Sequence, residues 1–332
     1  MQPLIDSFGR QIENLRISIT DRCNFRCRYC MPEEMMQWVP RDEILTYEEI
    51  ERLSKLFVRL GIRDIRITGG EPTVRKDLPY LISRLRLIEH LESLSITTNG
   101  FRLKSLAEPL AEAGLTRINV SLDTLVPEQF TYITRRNALN AVMEGLEELE
   151  KHPSISPIKL NCVGIRGFTE SEVVAFAELA RRKPYVVRFI EFMPLDADGI
   201  WREEKVLTGG EILDIINDAM PVPLVPIPTD PSSTSRVYQF ADGNGEVGFI
   251  NPVSEPFCAS CNRIRLTAEG MLRTCLFSVR ETDLRLPLRD GASDDELEHI
   301  IRAAIWQKEL KHRINEGEFF QRANRTMSQI GG

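Results

Sequence analysis

The sequence predicts an α/β fold in which strands and helices alternate along the first two thirds of the chain. Short runs rich in β-branched residues recur between residues 15 and about 220, and longer amphipathic runs separate them. Repeated β-α units favour a parallel sheet. Six such units fit either an open barrel with its helices outside or a flat doubly wound sheet, and the residue pattern leaves both open.

Six strands and five intervening helices follow from this pattern. The strands are predicted at residues 15–20, 64–68, 93–97, 117–122, 158–163 and 186–192, and the helices at 47–60, 77–88, 104–113, 137–150 and 170–182. Thr46 and Glu49 have the spacing of a capping box, which marks the start of the first helix. Thr169 and Glu172 give a similar signal, whereas Pro109 weakens the prediction for the third helix.

A proline-rich segment ends the alternation. Five prolines between residues 221 and 231 exclude a helix and disfavour a central strand, so an extended linker is predicted there. We therefore predict a larger domain at residues 1–220 and a smaller C-terminal domain at 221–332. A further helix is expected near 211–218, and a last amphipathic helix near 294–310.

Composition excludes several functional classes. The 332-residue chain carries a net charge of −7, which disfavours nonspecific binding of nucleic acid. No apolar run approaches the ~20 residues that span a bilayer, and the first residues do not resemble a signal peptide. A cytoplasmic protein is expected, and its seven cysteines then indicate metal binding or catalysis rather than disulfides.

The first group of cysteines follows the first predicted strand. Cys23, Cys27 and Cys30 have C-x3-C-x2-C spacing, which lets a loop turn three sulfurs toward one centre. Thiolates select soft metals, and structural zinc requires four ligands. A [4Fe-4S] cluster held by three thiolates leaves one iron open. The alternatives are a zinc site completed by a distant residue, or three buried thiols, although the interleaved arginines disfavour an apolar segment.

The second group of cysteines lies in the C-terminal part of the chain. Cys258, Cys261 and Cys275 again offer three thiols, with no histidine among them, so a second [4Fe-4S] cluster fits better than zinc with an outside ligand. Arg263 and Arg265 come just after Cys261, and on an extended segment their side chains point to the same side. Guanidinium groups suit phosphate oxygens. Further cations that could surround a triphosphate lie in or beside predicted strands: Arg16, Arg66, Lys159 and Arg188.

The first cysteine loop resembles that of the radical S-adenosylmethionine (SAM) superfamily, and the Gly-Gly-Glu-Pro sequence at 69–72 resembles a second motif of that superfamily. The resemblance implies a partial (β/α)6 barrel of the TIM type, a first [4Fe-4S] cluster, and SAM bound at its open iron. Parallel barrels carry their chemistry at the C-terminal ends of the strands. The residues that the resemblance assigns to SAM are Tyr29, Gly70, Glu71, Ser121 and Met193.

Together, both cysteine groups, the Arg-x-Arg pair and the terminal Gly331-Gly332 resemble the GTP 3′,8-cyclase family of molybdenum cofactor biosynthesis. The resemblance implies that the substrate GTP is contacted by Arg16, Arg66, Thr97, Lys159, Arg263, Ile264 and Arg265. It also implies catalytic roles for Arg16, Arg263 and Arg265, and for the Gly331-Gly332 tail, which enters the barrel in that family.

The implied reaction begins when a SAM-derived 5′-deoxyadenosyl radical abstracts hydrogen from C3′ of GTP. The C3′ radical then attacks guanine C8 to give 3′,8-cyclo-7,8-dihydroguanosine triphosphate. The family also implies an electron donor and a downstream cyclic pyranopterin monophosphate synthase, while a homodimer stays an open option. The alternatives are another two-cluster radical SAM enzyme, such as one that modifies peptides, and a non-catalytic metal-binding regulator.

Overall fold

A computed structural model describes residues 3–34, 36–196, 198–317, 320–322 and 325–331. In this part of the chain, twelve strands form one sheet. The strands are β1 (Asn14–Ser18), β2 (Asp64–Thr68), β3 (Ser93–Thr98), β4 (Arg117–Ser121), β5 (Ile158–Gly164), β6 (Tyr185–Glu191), β7 (Leu224–Pro226), β8 (Arg236–Phe240), β9 (Glu246–Ile250), β10 (Arg263–Leu266), β11 (Met271–Arg273) and β12 (Thr282–Asp283). Their order across the sheet is β12-β11-β10-β1-β2-β3-β4-β5-β6-β9-β8-β7.

The first six strands are parallel neighbours in chain order, and helices connect them, as predicted for a partial (β/α)6 barrel. The helices are α1 (Tyr47–Arg59), α2 (Leu78–Arg86), α3 (Leu103–Glu112), α4 (Pro127–Thr134), α5 (Leu139–Leu149), α6 (Val173–Arg182), α7 (Gly209–Ala219), α8 (Arg285–Arg289), α9 (Asp294–Trp306) and α10 (Met327–Ile330). The capping box predicted at the start of α1 is present.

Alternation along each barrel strand separates the apolar core from the polar interior. In β1, Leu15 and Ile17 are fully buried in the hydrophobic core, whereas Arg16 and Ser18 lie on the opposite face. Period-two alternation of this kind arises because successive strand side chains point to opposite faces. The same division in β2 to β5 gives the barrel a continuous core under its helices and an inner face rich in hydrogen-bonding groups.

Strands from the last third of the chain extend the barrel at both edges. β9 pairs in parallel with β6, and β10 pairs in parallel with β1. The proline-rich segment is extended, as predicted, but it is not a free linker, because Leu224–Pro226 forms edge strand β7. An edge strand tolerates proline, because one of its sides has no neighbouring strand to which a backbone N–H would have to donate. The domain division at residue 220 stays a prediction.

Three local predictions were wrong. Helix α4 was missed, because its eight residues are too short for a clear helical period. Thr169 does not cap a helix through its side chain, because that hydroxyl donates to the carbonyl of Val163 and accepts from the amide of Ile165. The last amphipathic helix ends at Trp306 rather than near residue 310. None of the helices in the described ranges is long and apolar enough to cross a membrane.

Arg10 joins the start of the chain to the segments around the second cysteine group. Its buried guanidinium forms an ion pair with Asp6 at 2.6 Å. It also donates to the carbonyl oxygens of Cys258, Glu309 and Leu310, at 2.6 to 2.9 Å. Removal of Arg10 would leave the buried carboxylate of Asp6 without its cation and three carbonyl groups without a donor. Both losses destabilise the folded state.

We therefore predict that Arg10→Met lowers the free energy of unfolding by about 3–5 kcal/mol, the range for breaking a buried ion pair. The measurement is anaerobic chemical denaturation. Arg182→Met is the control, because the Arg182 side chain is 70% exposed and its pair with Glu178 spans 3.4 Å. That control should change stability by less than about 1 kcal/mol. Equal stability of the two variants would contradict the bridging role of Arg10.

Candidate active site

The first cysteine loop is held against the turn that follows β2. The amide of Gly70 donates to the carbonyl of Thr20 at 2.7 Å, and the amide of Glu71 donates to that of Arg22 at 2.8 Å. A Cβ on Gly70 would meet the carbonyl oxygens of Asp21 and Arg22, the latter at 2.5 Å. Backbone contact this close requires glycine, so Gly70 allows the two loops to pack together.

Glu71 fixes this turn to the end of β3. Its buried carboxylate accepts hydrogen bonds from the amide and hydroxyl of Thr73, the hydroxyl of Thr98 and the amide of Asn99, all within 3.0 Å. Burial raises the pKa of Glu71 against the effect of these donors. The bonds to protein groups give Glu71 a structural task that the sequence did not predict, while its contact with the SAM ammonium group stays a prediction.

Cys23, Cys27 and Cys30 lie close enough to act on one another. Burial and then the charge of Cys23 raise the pKa of Cys30 to about 12. The pKa of Cys27 is raised by burial and then by Cys30, Asp123 and Cys23. Such mutual repulsion between thiolates is relieved when they share a metal centre. Hydrogen bonds reach the sulfur of Cys23 from the amide of Phe25 at 3.3 Å and the side chain of Asn99 at 3.8 Å.

Of the remaining residues assigned to SAM, Tyr29 has the clearest environment. Its hydroxyl donates to Asp123 at 2.6 Å, and Asp123 also accepts from the amide of Val163 at 3.0 Å. Burial raises the pKa of Asp123 to about 6. Ser121 ends β4 and Met193 follows β6, so both lie at the C-terminal ends of barrel strands, and both are half-buried. Asp123 is a site residue without an earlier assigned role.

The second cysteine group surrounds a buried lysine. Lys308 is 3% exposed and donates to the carbonyl oxygens of Arg263, at 3.1 Å, and Thr274. Burial would raise the pKa of Cys261, but Lys308 and then Arg263 outweigh it, and the pKa is lowered. Lys308 acts in the same direction on Cys258 and Cys275. An ammonium group among three thiols offsets the negative charge that a thiolate-bound cluster brings.

The two cysteine groups lie at opposite ends of the barrel strands. Cys23 to Cys30 follow β1, whereas Cys258 and Cys261 precede β10, which runs parallel to β1. In the described ranges, no three His, Cys, Asp or Glu side chains are gathered closely enough to hold a single metal ion. The fit to an iron–sulfur cluster therefore rests on the spacing of the thiols, their mutual electrostatic effect and their hydrogen bonds. Cys162, the seventh cysteine, belongs to neither group and is buried in the hydrophobic core.

Six cations on the inner face form what we call the cation cluster. Its members are Arg16, Arg66, Lys159, Arg188, Arg263 and Arg265. Arg265, Arg16 and Arg66 occupy paired positions on three adjacent strands. Burial and then the neighbouring arginines hold the pKa of Arg16 well below its ordinary value. The same causes lower the pKa of Lys159 to about 8.

Two buried donors of the cation cluster lack a partner among the described residues. Nε of Arg188 and Nη2 of Arg263 are buried and make no hydrogen bond to any described residue. Arg188 does donate to Asn119 and Asn161, at 2.5 and 2.7 Å, and these bonds fix its direction. Asp64, which partly offsets the charge of Arg66 and Lys159, is already paired with Arg117. Fixed guanidinium groups with free donors are suited to a polyanion.

Two other residues assigned to GTP lie in different environments. Thr97 is half-buried on β3, paired with Asn119 of β4. The Ile264 side chain is 1% exposed in the hydrophobic core, and it occupies the alternate position between Arg263 and Arg265. Its side chain therefore lies on the opposite face of β10 from the cation cluster. Contact of Thr97 or Ile264 with GTP stays a prediction.

The described part of the C-terminal tail enters this site. The carbonyl of Gly331 accepts a hydrogen bond from Arg265. A Cβ on Gly331 would approach Ser18 and Thr68, so the tail lies against the ends of β1 and β2. The amide of Ser328 hydrogen-bonds the sulfur of Cys30. The predicted role of Gly332 falls outside the described residues.

Comparison with known proteins gives matches over most of the chain. The model of the radical SAM superfamily matches residues 17–180, and the model described as Molybdenum Cofactor Synthesis C matches residues 185–314. A GTP 3′,8-cyclase of Rhodopirellula baltica is 46% identical, with 99% of this chain and 92% of that protein covered. A GTP 3′,8-cyclase of Syntrophomonas wolfei is 44% identical, with 99% and 100% covered.

Two further comparisons concern a longer relative and a solved structure. Human molybdenum cofactor biosynthesis protein 1 is 45% identical over 93% of this chain, which spans 48% of that protein. The crystal structure of Streptococcus suis SuiB bound to precursor peptide SuiA has a TM-score of 0.61 and 13% identity, and the match covers 93% of this chain and 66% of that one. At this identity the likeness concerns the fold.

The close approach at Gly70 leads to a prediction. Gly70→Ala should lower the total iron from about eight per chain to roughly half that number, because the first cysteine loop must move away from the turn and its cluster is lost. The measurement is iron per chain after anaerobic reconstitution. Gly210→Ala is the matched control, since a Cβ there meets nothing within 4 Å. Full iron loading of Gly70→Ala would contradict the packing argument.

The buried ammonium group of Lys308 leads to a prediction about the second cysteine group. Lys308→Met should bring iron content from about eight per chain, as two cubanes require, toward about four. It should also make the reduction potential of any second cluster that forms more negative, because a nearby positive charge is lost. Lys311→Met is the control, because that side chain is 60% exposed. Unchanged iron content and potential in Lys308→Met would show that the ammonium group has no such role.

Proposed function

The chain belongs to the GTP 3′,8-cyclase family of radical SAM enzymes, and we propose that it converts GTP to the 3′,8-cyclised nucleotide through the residues described above. The observation that carries this assignment is the cation cluster: six cationic side chains on the inner face of the barrel, between two groups of three cysteines. A nucleoside triphosphate supplies the negative charge that this interior lacks.

In this proposal, Cys23, Cys27 and Cys30 hold one [4Fe-4S] cluster, and Cys258, Cys261 and Cys275 hold the other. When bound, SAM and the first cluster supply the radical that removes hydrogen from C3′ of GTP. Tyr29, Gly70, Glu71, Ser121 and Met193 form the SAM side of the site, at the C-terminal ends of the strands.

The protein's own contribution is to position GTP and to exclude water. Arg16, Arg66 and Lys159 lie between the two cysteine groups and would bind the phosphate oxygens. Arg263 and Arg265 lie beside the second cysteine group. They would orient the nucleotide with its C3′ facing SAM. Strand positions are rigid, and fixed geometry of this kind contributes to rate by holding reacting atoms close together.

The family also supports expectations about partners and location. We propose that an external electron donor reduces the clusters and that a cyclic pyranopterin monophosphate synthase takes the product onward. A cytoplasmic location and a homodimer are proposed on the same basis. Identity of 44–46% to GTP 3′,8-cyclases over nearly the full chain favours this function over the peptide-modifying and regulatory alternatives.

The test is the double variant Arg263→Ala, Arg265→Ala. Each charge-assisted hydrogen bond to a phosphate is worth about 1.5–3 kcal/mol, so GTP affinity should fall by roughly 100-fold or more. Binding is measured by calorimetry on cluster-loaded protein without reductant. Cleavage of SAM to 5′-deoxyadenosine, measured separately with reductant, should be largely retained, because these arginines lie beside the other cysteine group.

The matched control is Arg182→Ala, Arg313→Ala, which removes two arginines whose side chains are 70% and 62% exposed. It should bind GTP as the wild type does. Unchanged GTP affinity in the Arg263, Arg265 variant would overturn the assignment of these residues. Wild-type protein that cleaves SAM but leaves GTP unaltered would overturn the substrate.

A further inference from the structure

Arg325 lies at the start of the described C-terminal segment and forms a partly buried ionic contact. Its guanidinium donates to both carboxylate oxygens of Glu281, at 2.6 and 2.7 Å, and to Glu269. The side chains of these three residues are 11 to 19% exposed. A two-pronged bond of this kind fixes both the position and the direction of an arginine. We call Arg325, Glu269 and Glu281 the tail clamp.

The tail clamp is tied to the segment that carries the second cysteine group. Glu281 also forms an ion pair with Arg273, which is 1% exposed and ends β11. Arg273 in turn donates to the carbonyl oxygens of Leu276 and Ser278, which follow Cys275. The clamp therefore rests on a rigid part of the protein rather than on a surface loop.

The segment beyond the clamp has little local stability. Helix α10 is one turn long, and an isolated helix of four residues does not form in water. Nevertheless, Ile330 is fully buried, and Gly331 reaches Arg265 of the cation cluster. The amide of Ser328 reaches Cys30 of the first cysteine group. Placement of this short segment thus depends on contacts at its ends, and the clamp is its charged anchor.

We propose that Arg325 is a positioning residue, which acts through Glu269 and Glu281 to hold the tail between Cys30 and the cation cluster. This inference rests on the proposed function for the meaning of the tail, but the contacts themselves are independent of any substrate. Loss of the clamp would free residues 326–331 and remove Gly331 from Arg265. The reaction would then lose the tail while Arg263 and Arg265 remain available to bind the nucleotide.

The experiment compares Arg325→Gln with the wild type, using cluster-loaded protein without SAM or GTP. Amide hydrogen exchange at residues 326–331, followed by mass spectrometry, should be at least about 10-fold faster in the variant, because the tail leaves the barrel. Release of C-terminal residues by a carboxypeptidase should be faster in the same proportion. Arg322→Gln is the matched control, because this exposed arginine, three residues before Arg325, forms no hydrogen bond or ion pair with a described residue.

A second variant separates positioning from folding. Glu269→Gln weakens the clamp but leaves the pair between Arg273 and Glu281 intact, so it should also loosen the tail with other regions unchanged. Arg325→Lys should restore part of the protection, because it returns the charge without the two-pronged geometry. In turnover assays, Arg325→Gln should lower kcat by at least about 10-fold while the KM for GTP changes less than about 3-fold.

The outcomes distinguish this inference from the proposed function. Tail protection in Arg325→Gln equal to the wild type would overturn the clamp, whatever the enzyme does with GTP. Equal loosening by Arg322→Gln would overturn it too, since the effect would not be specific to the ionic contact. A loosened tail with unchanged kcat would overturn the positioning role. If wild-type protein fails to convert GTP, the exchange result still decides whether the clamp holds the tail.

Discussion

Repulsion among like charges inside the barrel is the constraint on which the site depends. Burial and neighbouring arginines lower the pKa values of Arg188 and Arg265 to about 9, so the interior disfavours its own positive charge. This cost is tolerated because the outer face of the same strands is tightly packed with residues such as Ile17 and Ile67. The hydrophobic core thus holds the strands together against the repulsion among the cations of their inner face. A bound polyanion would relieve that repulsion.

The sheet also sets the scale of the site. Cys30 follows β1 and Cys261 precedes β10, so the two cysteine groups lie beyond opposite ends of the barrel strands. A strand of five residues at about 3.3 Å each is roughly 16 Å long, which suits a nucleotide lying along it. Because β10 is hydrogen-bonded directly to β1, the last third of the chain forms part of the barrel wall and supplies Arg263 and Arg265 from it.

Most barrel strands could be predicted from the sequence, because the alternation of apolar and polar residues is visible within each short segment. Alternation defined the first six strands to within two residues, and four members of the cation cluster lie on them: Arg16, Arg66, Lys159 and Arg188. The pairing of β10 with β1 joins residues about 250 apart and has no local signature. Lys308 follows an amphipathic helix, where lysine is ordinarily solvated, and burial alone distinguishes it. The partner of Asp123, Tyr29, is likewise known only once the strands are arranged.

The tail illustrates why an anchor can lie away from the group it positions. Gly331 has a φ of 85° and lies so close to Ser18 and Thr68 that a larger residue would collide with them. A side chain able to anchor the tail therefore cannot occupy that position. The charged contact lies instead at Arg325, six residues earlier, where Glu269 and Glu281 provide a rigid partner. Separation of anchor from contact keeps a bulky side chain away from Arg265 while it fixes how far the tail can reach.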